Sequence, residues 1–257
     1  MTITNIISSF PFLKKITFPQ NDKLELFGRE EELQLLEESL YKKRMKNTIL
    51  VGNAGCGKTK IIEEFAHKNE KKYYVLEMNV AASLSNTQFR GQYEEKIVNA
   101  LNAIIEYNQT HFDRKIILFV DEIHTLNHTG GYQGVLSAFD ILKPYLSKGD
   151  ITIIGATTFY EYDNFLKKDK AITRRLSPIY INDLEKEEII KILIDFSESL
   201  IDENMADFIF ELSKEIKDST NPDISLEILD RCMARSKVTK KKITKTMVKK
   251  IVETMKR

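Results

Sequence analysis

Short runs that are apolar on both faces alternate, over roughly the first 180 residues, with longer stretches that are apolar on one face only. The short runs are Thr48-Ile49-Leu50-Val51, Tyr73 to Asn79, Ile116 to Val120, Ile151 to Gly155 and Ile179 to Ile181. They are too short for helices and rich in β-branched or aromatic residues, which predicts strands, the central ones buried on both sides. Between them, Leu33, Leu36 and Leu40 recur at helical spacing within Glu30 to Lys43, and Ile61, Ile62 and Phe65 do so in a helix running to about Asn69. Tyr93, Ile97, Ala100, Leu101 and Ile104 mark a further helix over Gln92 to Tyr107. Gln133 to Ser147 is helical in pattern despite Pro144, which should kink it. Strands alternating with helices predict an α/β fold with a five-stranded parallel sheet covered on both faces. After Asp183 four helical patterns follow, at about 185–200, 204–217, 223–236 and 244–256, with no strong strand. The expected organisation is therefore an N-terminal arm over 1–22, an α/β domain over 23–183 and a small α-helical domain over 184–257. The arm carries Ile6, Ile7, Phe10, Phe12 and Leu13, and either packs on the body or a neighbouring subunit or stays disordered.

Charge adds little to this picture. Among 257 residues, 39 Lys and Arg nearly cancel 38 Asp and Glu, so no global field draws the protein to nucleic acid or an anionic membrane. The apolar N-terminal residues are interrupted by Pro11 and followed by Lys14-Lys15, with no small-residue cleavage site, so an export signal is not expected. No apolar stretch approaches the roughly 18 residues that span a bilayer. Cys56 and Cys232 lack the spacing of a redox or zinc site and are expected to be neutral thiols in a reducing cytoplasm.

Candidate chemistry concentrates where strands end. Gly52-Asn53-Ala54-Gly55-Cys56-Gly57-Lys58-Thr59 follows the first strand and opens a helix. Glycines in this spacing let backbone N–H groups ring a triphosphate, with the positive end of the helix behind them. Lys58 would reach the outer phosphates and Thr59 would hold Mg²⁺ through its hydroxyl. Asp121-Glu122 stands at the end of the strand 116–120, where open α/β sheets place ligands. Two adjacent carboxylates alternate sides of a strand, so Asp121 can face the Mg²⁺ shell while Glu122 orients and deprotonates the attacking water. Thr157 and Thr158 end the next strand, either sensing a terminal phosphate or capping a helix. Arg174 and Arg175 are either solvated surface cations or fingers that reach a neighbouring subunit's nucleotide.

The order of these motifs resembles the AAA+ superfamily of P-loop NTPases, and within it the first ATPase module of the Clp unfoldases and disaggregases. The resemblance is carried by Lys23 to Leu33, the phosphate loop, Phe89 to Lys96, Leu118 to Leu126, Leu142-Lys143-Pro144, Gly155 to Thr158 with Glu161-Tyr162, and Arg174-Arg175. It implies that Phe27 and Gly28 line the adenine pocket and that Asn53, Ala54, Gly55, Cys56, Gly57, Lys58 and Thr59 bind the phosphates of ATP. It implies further that Thr59 and Asp121 hold Mg²⁺, that Asp121 and Glu122 are the Walker B pair, and that Thr158, with Thr157 beside it, is the first sensor. Arg174 and Arg175 look like trans-acting fingers of a hexameric ring, and Phe89-Arg90-Gly91 matches the loop that grips an unfolded polypeptide, the lesser alternative being that Phe89 is a core residue before a helix. The helical domain becomes the lid, in which Pro222-Asp223-Ile224 has Ile224 where the family's segment has lysine.

The expectation is thus an ATP-hydrolysing, homo-oligomeric, cytoplasmic Clp-like module that remodels protein substrates. One alternative is an ATP-switched assembly factor or adaptor that threads nothing, since the substrate-binding amino-terminal domain and second motor typical of Clp proteins do not appear in these residues. Action on nucleic acid would rest on the basic residues Lys237, Lys240, Lys241, Lys242, Lys245, Lys249 and Lys250, which suit a solvated helix face better.

Overall fold

The computed structural model describes residues 2–17, 26–43, 46–84, 90–130, 138–217 and 220–256. Contacts group the chain into two units, the first holding Met1–Pro19, Glu32–Val51 and Ile61–Tyr180, the second Gln20–Glu31, Gly52–Lys60 and Ile181–Arg257. In chain order the elements begin with α1 (Ile3–Ser9), β1 (Leu13–Lys15), α2 (Glu30–Tyr41), β2 (Thr48–Gly52), α3 (Lys58–Lys68), β3 (Tyr73–Met78), α4 (Val80–Leu84) and α5 (Arg90–Thr110). They continue with β4 (Lys115–Val120), a 3₁₀ segment over Ile123–Gly130, α6 (Ala138–Lys148), β5 (Thr152–Thr157), α7 (Phe159–Glu161), a π-helical turn over Tyr162–Leu166, α8 (Lys170–Thr173) and β6 (Ser177–Ile181). Four helices close the chain: α9 (Lys186–Phe196), α10 (Glu203–Ser213), α11 (Asp223–Thr239) and α12 (Lys245–Met255).

The sheet has six strands in the order β1-β3-β4-β5-β2-β6. Parallel pairing sets Leu50 beside Ala156, Phe119 beside Ile154 and Leu76 beside Leu118. Every residue of β2 is buried, as are all but the first of β4 and β5, which is what helices on both faces of a parallel sheet require. The expected five strands are present, and a sixth is added. β1, from the arm, lies antiparallel to β3 with Leu13 opposite Met78. It is three residues long, too short for any alternation to announce it. Its cause is apolar burial: Ile6, Phe12 and Leu13 are at most 6% exposed and join the main core. Thr2 caps α1 by accepting from the Asn5 N–H at 3.3 Å, and Pro11 sits in the turn that redirects the chain into β1. The described part of the arm, residues 2–17, therefore packs on the body.

Two buried amides tie the layers together. The Asn47 side chain donates to the Leu146 carbonyl at 3.2 Å and accepts from the Ile153 N–H at 2.8 Å, while its own carbonyl accepts from Ser177 N–H at 2.9 Å. Asn108, on α5, takes the N–H and gives to the carbonyl of Ile116 on β4, at 2.7 and 3.0 Å. Helix α6 runs through Pro144 rather than starting or stopping at it. The residues 133–137 of the expected helix lie outside those described.

In the second unit, α9 to α12 pack around Ile189, Leu193, Ile209, Phe210, Ile228, Leu229, Cys232, Val248, Ile251 and Val252. Polar residues fix the starts of α9, α10 and α12. Glu188 Oε2 accepts from the Glu185 N–H at 3.1 Å, Asp202 caps α10 and Thr244 caps α12.

Candidate active site

The phosphate loop leaves β2 at Gly52 and enters α3 at Lys58. Gly55 and Gly57 have φ of +75° and +95°, the left-handed region that glycine enters at least cost. At Gly52 a Cβ would lie 2.6 Å from the Ile181 carbonyl, and at Gly55 it would lie 2.8 Å from Asp223 Cβ, so neither position accepts a side chain without movement. The Lys58 ammonium bends back over the loop, donating to the carbonyls of Gly52 and Asn53 at 2.9 and 2.7 Å. Arg29, only 3% exposed, donates through Nη2 to the Cys56 carbonyl at 2.9 Å, and Asn53 donates to Asp183 Oδ1 at 3.1 Å. No acidic residue occupies the first turn of α3, while His67 and Lys68 end it, so the charge pattern leaves the N-terminus favourable to an anion. Thr59 is exposed in that first turn. Cys56 is buried; burial pushes its thiol up, outweighing the opposite pull of Lys58 and Arg29, so it is neutral as expected. Phe27 is half-buried, and Gly28 at φ +63° faces Glu188, whose Oε1 lies 2.2 Å from where a Cβ would be. Arg29, Asp183 and Glu188 were given no role by motif, because what gives them a place here is contact with residues distant in sequence; Asp223 lies in the lid segment Pro222-Asp223-Ile224, but its approach to Gly55 is likewise a long-range contact.

In the first unit, β4 ends at Val120, and Asp121-Glu122 forms a turn instead of continuing the strand. The two carboxylates therefore part by a different route from the alternation expected: Glu122 takes φ +45°, left-handed for a non-glycine residue, and its N–H donates to Asp121 Oδ1 at 2.9 Å. Such a conformation costs about 1–2 kcal/mol, and the surrounding contacts must hold it. Asp121 is half-buried and Glu122 exposed. On β5, Thr157 is 1% exposed and its hydroxyl meets His124 Nδ1 at 2.9 Å. Thr158 caps α7, accepting from the Glu161 N–H at 3.3 Å, so the capping role is present at the residue expected to sense phosphate. Since β2, β5 and β4 are parallel, the chain leaves all three at the same end of the sheet.

Arg174 ends α8 and is exposed. Arg175, just past α8, turns back on that helix, donating through Nη1 to the Ala171 carbonyl at 2.9 Å. Asp169 starts α8, accepting from the Ala171 N–H at 2.8 Å, and pairs with Lys143 at 2.8 Å. Lys143 also holds Asp140 at 2.7 Å. Burial alone would lower the Lys143 ammonium, but its bonds to Asp140 and Asp169 raise it overall, and the Lys143 bond holds Asp169 below the usual carboxylate range. A buttress thus fixes the start of the helix that presents Arg174. Phe89 lies outside the described residues; Arg90 and Gly91 open α5. Among the described residues no helix is long and apolar enough to cross a membrane, and no cluster of three or more His, Cys, Asp or Glu could hold a metal ion.

Comparison with known proteins matches these elements. Residues 48–181, from β2 through β6, fit the family model described as "ATPase family associated with various cellular activities (AAA)". The chain is 31% identical over 236 residues to the chaperone protein ClpB of Rickettsia typhi, covering 85% of this chain and 27% of that one. It is 32% identical over 228 residues to ClpB of Mycoplasmoides gallisepticum, covering 82% and 31%. The chain therefore spans between a quarter and a third of the length of these relatives. Among solved structures, the Saccharomyces cerevisiae Hsp104–ADP complex aligns with a TM-score of 0.76 at 26% identity, covering 91% of this chain and 42% of that one. A closed-state Hsp104 with ATPγS and FITC casein aligns with a TM-score of 0.79 at 25% identity, covering 96% and 45%. The glycine loop, the acidic turn, the paired threonines and the arginines all fall inside the matched segment, and the chain belongs to the AAA family of ATPases as a Clp-like AAA+ module.

Proposed function

We propose that this module binds Mg-ATP and hydrolyses it in a homo-oligomeric, hexameric ring whose work is to remodel or unfold protein. Phe27 and Gly28 take the adenine, the loop 53–57 cradles the phosphates, and Lys58 exchanges its two carbonyl partners for phosphate oxygens. Thr59 and Asp121 offer a hydroxyl and a carboxylate, the hard oxygen donors that Mg²⁺ prefers, so the donor set fits that ion. When bound, Mg²⁺ supplies positive charge to the phosphate oxygens. Glu122 takes a proton from water as the water oxygen attacks the γ-phosphorus; the bond to the bridging oxygen breaks, and ADP leaves with that electron pair. Thr158, beside Thr157, senses the γ-phosphate. Arg174 completes the neighbouring subunit's site, and Arg175, bonded back to α8, supports it. Phe89-Arg90-Gly91 grips the client by apolar contact. The similar structure solved with FITC casein makes a polypeptide client such as casein the natural substrate class to test.

The observation that carries most weight is the acidic turn, where Glu122 is held out of the strand in a left-handed conformation with its N–H on Asp121. Glu122→Gln should keep ATP binding and lower kcat by roughly 10²-fold or more, the scale of a lost general base. Wild-type turnover in that variant would remove Glu122 from its role. Mass measured by light scattering with ATP separates ring from switch: a monomer or dimer at every nucleotide state would favour an ATP-switched adaptor.

A further inference from the structure

Glu122 is the residue on which hydrolysis turns, yet its left-handed backbone is set by its neighbours. Asp121 Oδ1 accepts the Glu122 N–H, and the Glu122 carbonyl accepts from Thr125 N–H at 2.8 Å. Both of those bonds are local to the turn and would travel with it. Two other contacts anchor the turn to the sheet. Ile123 is fully buried, and its Cδ1 lies 2.8 Å from where a Cβ on Gly155 would sit, so the absence of a side chain at Gly155 is what admits it. His124 Nδ1 meets Thr157 Oγ1 at 2.9 Å. Gly155 and Thr157 are two apart on β5 and so share a face of the sheet. The turn is therefore seated on β5 by one apolar contact and one polar contact, on adjacent residues of the turn. Thr157 is 1% exposed, and a buried hydroxyl needs a partner; His124 provides it.

We infer that His124 is a positioning residue for ATP hydrolysis: through its bond to Thr157 it fixes Glu122 relative to β5 and links the acidic turn to the strand that leads directly into Thr158. The inference rests on Glu122 being the water-activating carboxylate. His124 touches neither water nor phosphate in this role. Its effect belongs to kcat, since a carboxylate displaced by about an ångström loses the attack geometry while the loop and Lys58 still bind nucleotide.

The test is a set of variants of the whole chain, each assayed for kcat and KM of ATP hydrolysis and for affinity towards a fluorescent ATP analogue. His124→Ala and Thr157→Val should each lower kcat roughly 10- to 100-fold, with KM and analogue affinity within about threefold of wild type. The double variant should be no slower than the slower single one, because both remove the same bond. His124→Asn, whose amide can offer a donor or an acceptor close to the Nδ1 position, should recover most of kcat. Unchanged kcat in His124→Ala overturns the inference, as do multiplicative losses in the double variant or an Asn variant no better than Ala. Glu122→Gln in parallel tells the two failures apart. If it turns over normally, the assignment of Glu122 fails; if it stalls while His124→Ala runs normally, only His124 loses its role.

Discussion

At the scale of single residues, the phosphate loop shows how differently two glycines of one motif are constrained. Gly55 and Gly57 both have positive φ, but a Cβ at Gly55 would lie 2.8 Å from Asp223 Cβ, whereas at Gly57 nothing lies within 4 Å. Gly57→Ala therefore meets backbone strain alone, of about 1 kcal/mol, while Gly55→Ala adds a contact that the start of α11 must yield to. Gly55→Ala should show the larger fall in melting temperature and in ATP affinity, checked by thermal unfolding with and without nucleotide; equal losses would mean that Asp223 gives way freely. The loop was legible in the sequence because glycine spacing is a local property. Arg29 and His124 were not, although both lie in stretches that carry the family resemblance. The partner of Arg29 is 27 positions away at Cys56 and that of His124 is 33 away at Thr157, so nothing local to either residue states its role. The same distance explains the acidic pair: Asp121-Glu122 could be located at a strand end, but whether the strand continued through it depends on what β5 offers at Gly155 and Thr157.

At the scale of elements, the long periodic segments were legible and the short ones were not. β2, β4 and β5 are buried runs whose apolar residues could serve nothing but a covered sheet, and α9 to α12 repeat at helical spacing. β1, α7 and α8 have three, three and four residues, too few for either period to repeat twice. The arm illustrates the consequence. Its apolar residues were visible, but not whether they met this chain or another, and burial decides the matter: Ile6 is 0% exposed within the main core. Removing three carbons there leaves a cavity as well as losing transfer free energy, so Ile6→Ala should cost about 2–5 kcal/mol in denaturant unfolding. A cost below about 0.5 kcal/mol would show that α1 contributes little to the stability of the folded body.

At the scale of the whole molecule, what the sequence order could not convey is which arginine faces outward. Arg174 and Arg175 are indistinguishable as text, yet Arg175 bonds back to Ala171 on α8 while Arg174 is exposed at the end of that helix, whose start Asp169 and Lys143 buttress. If Arg174 serves a neighbour's nucleotide, the contact is head-to-tail, and each site draws Glu122 from one subunit and Arg174 from the next. Two inactive variants should then repair each other. Arg174→Ala chains keep Glu122, and Glu122→Gln chains keep Arg174, so a complete site arises wherever an Arg174→Ala subunit meets the finger of a Glu122→Gln subunit. With random equal mixing that occurs at about a quarter of the sites, so mixing two preparations that are each nearly inactive should restore ATP hydrolysis towards about a quarter of the wild-type rate per chain. Arg175→Ala in the same experiment should retain more activity alone and therefore show a smaller relative gain. No recovery on mixing, under conditions where light scattering shows that the two variants co-assemble, would place Arg174 outside the neighbour's site and return hydrolysis to a single chain.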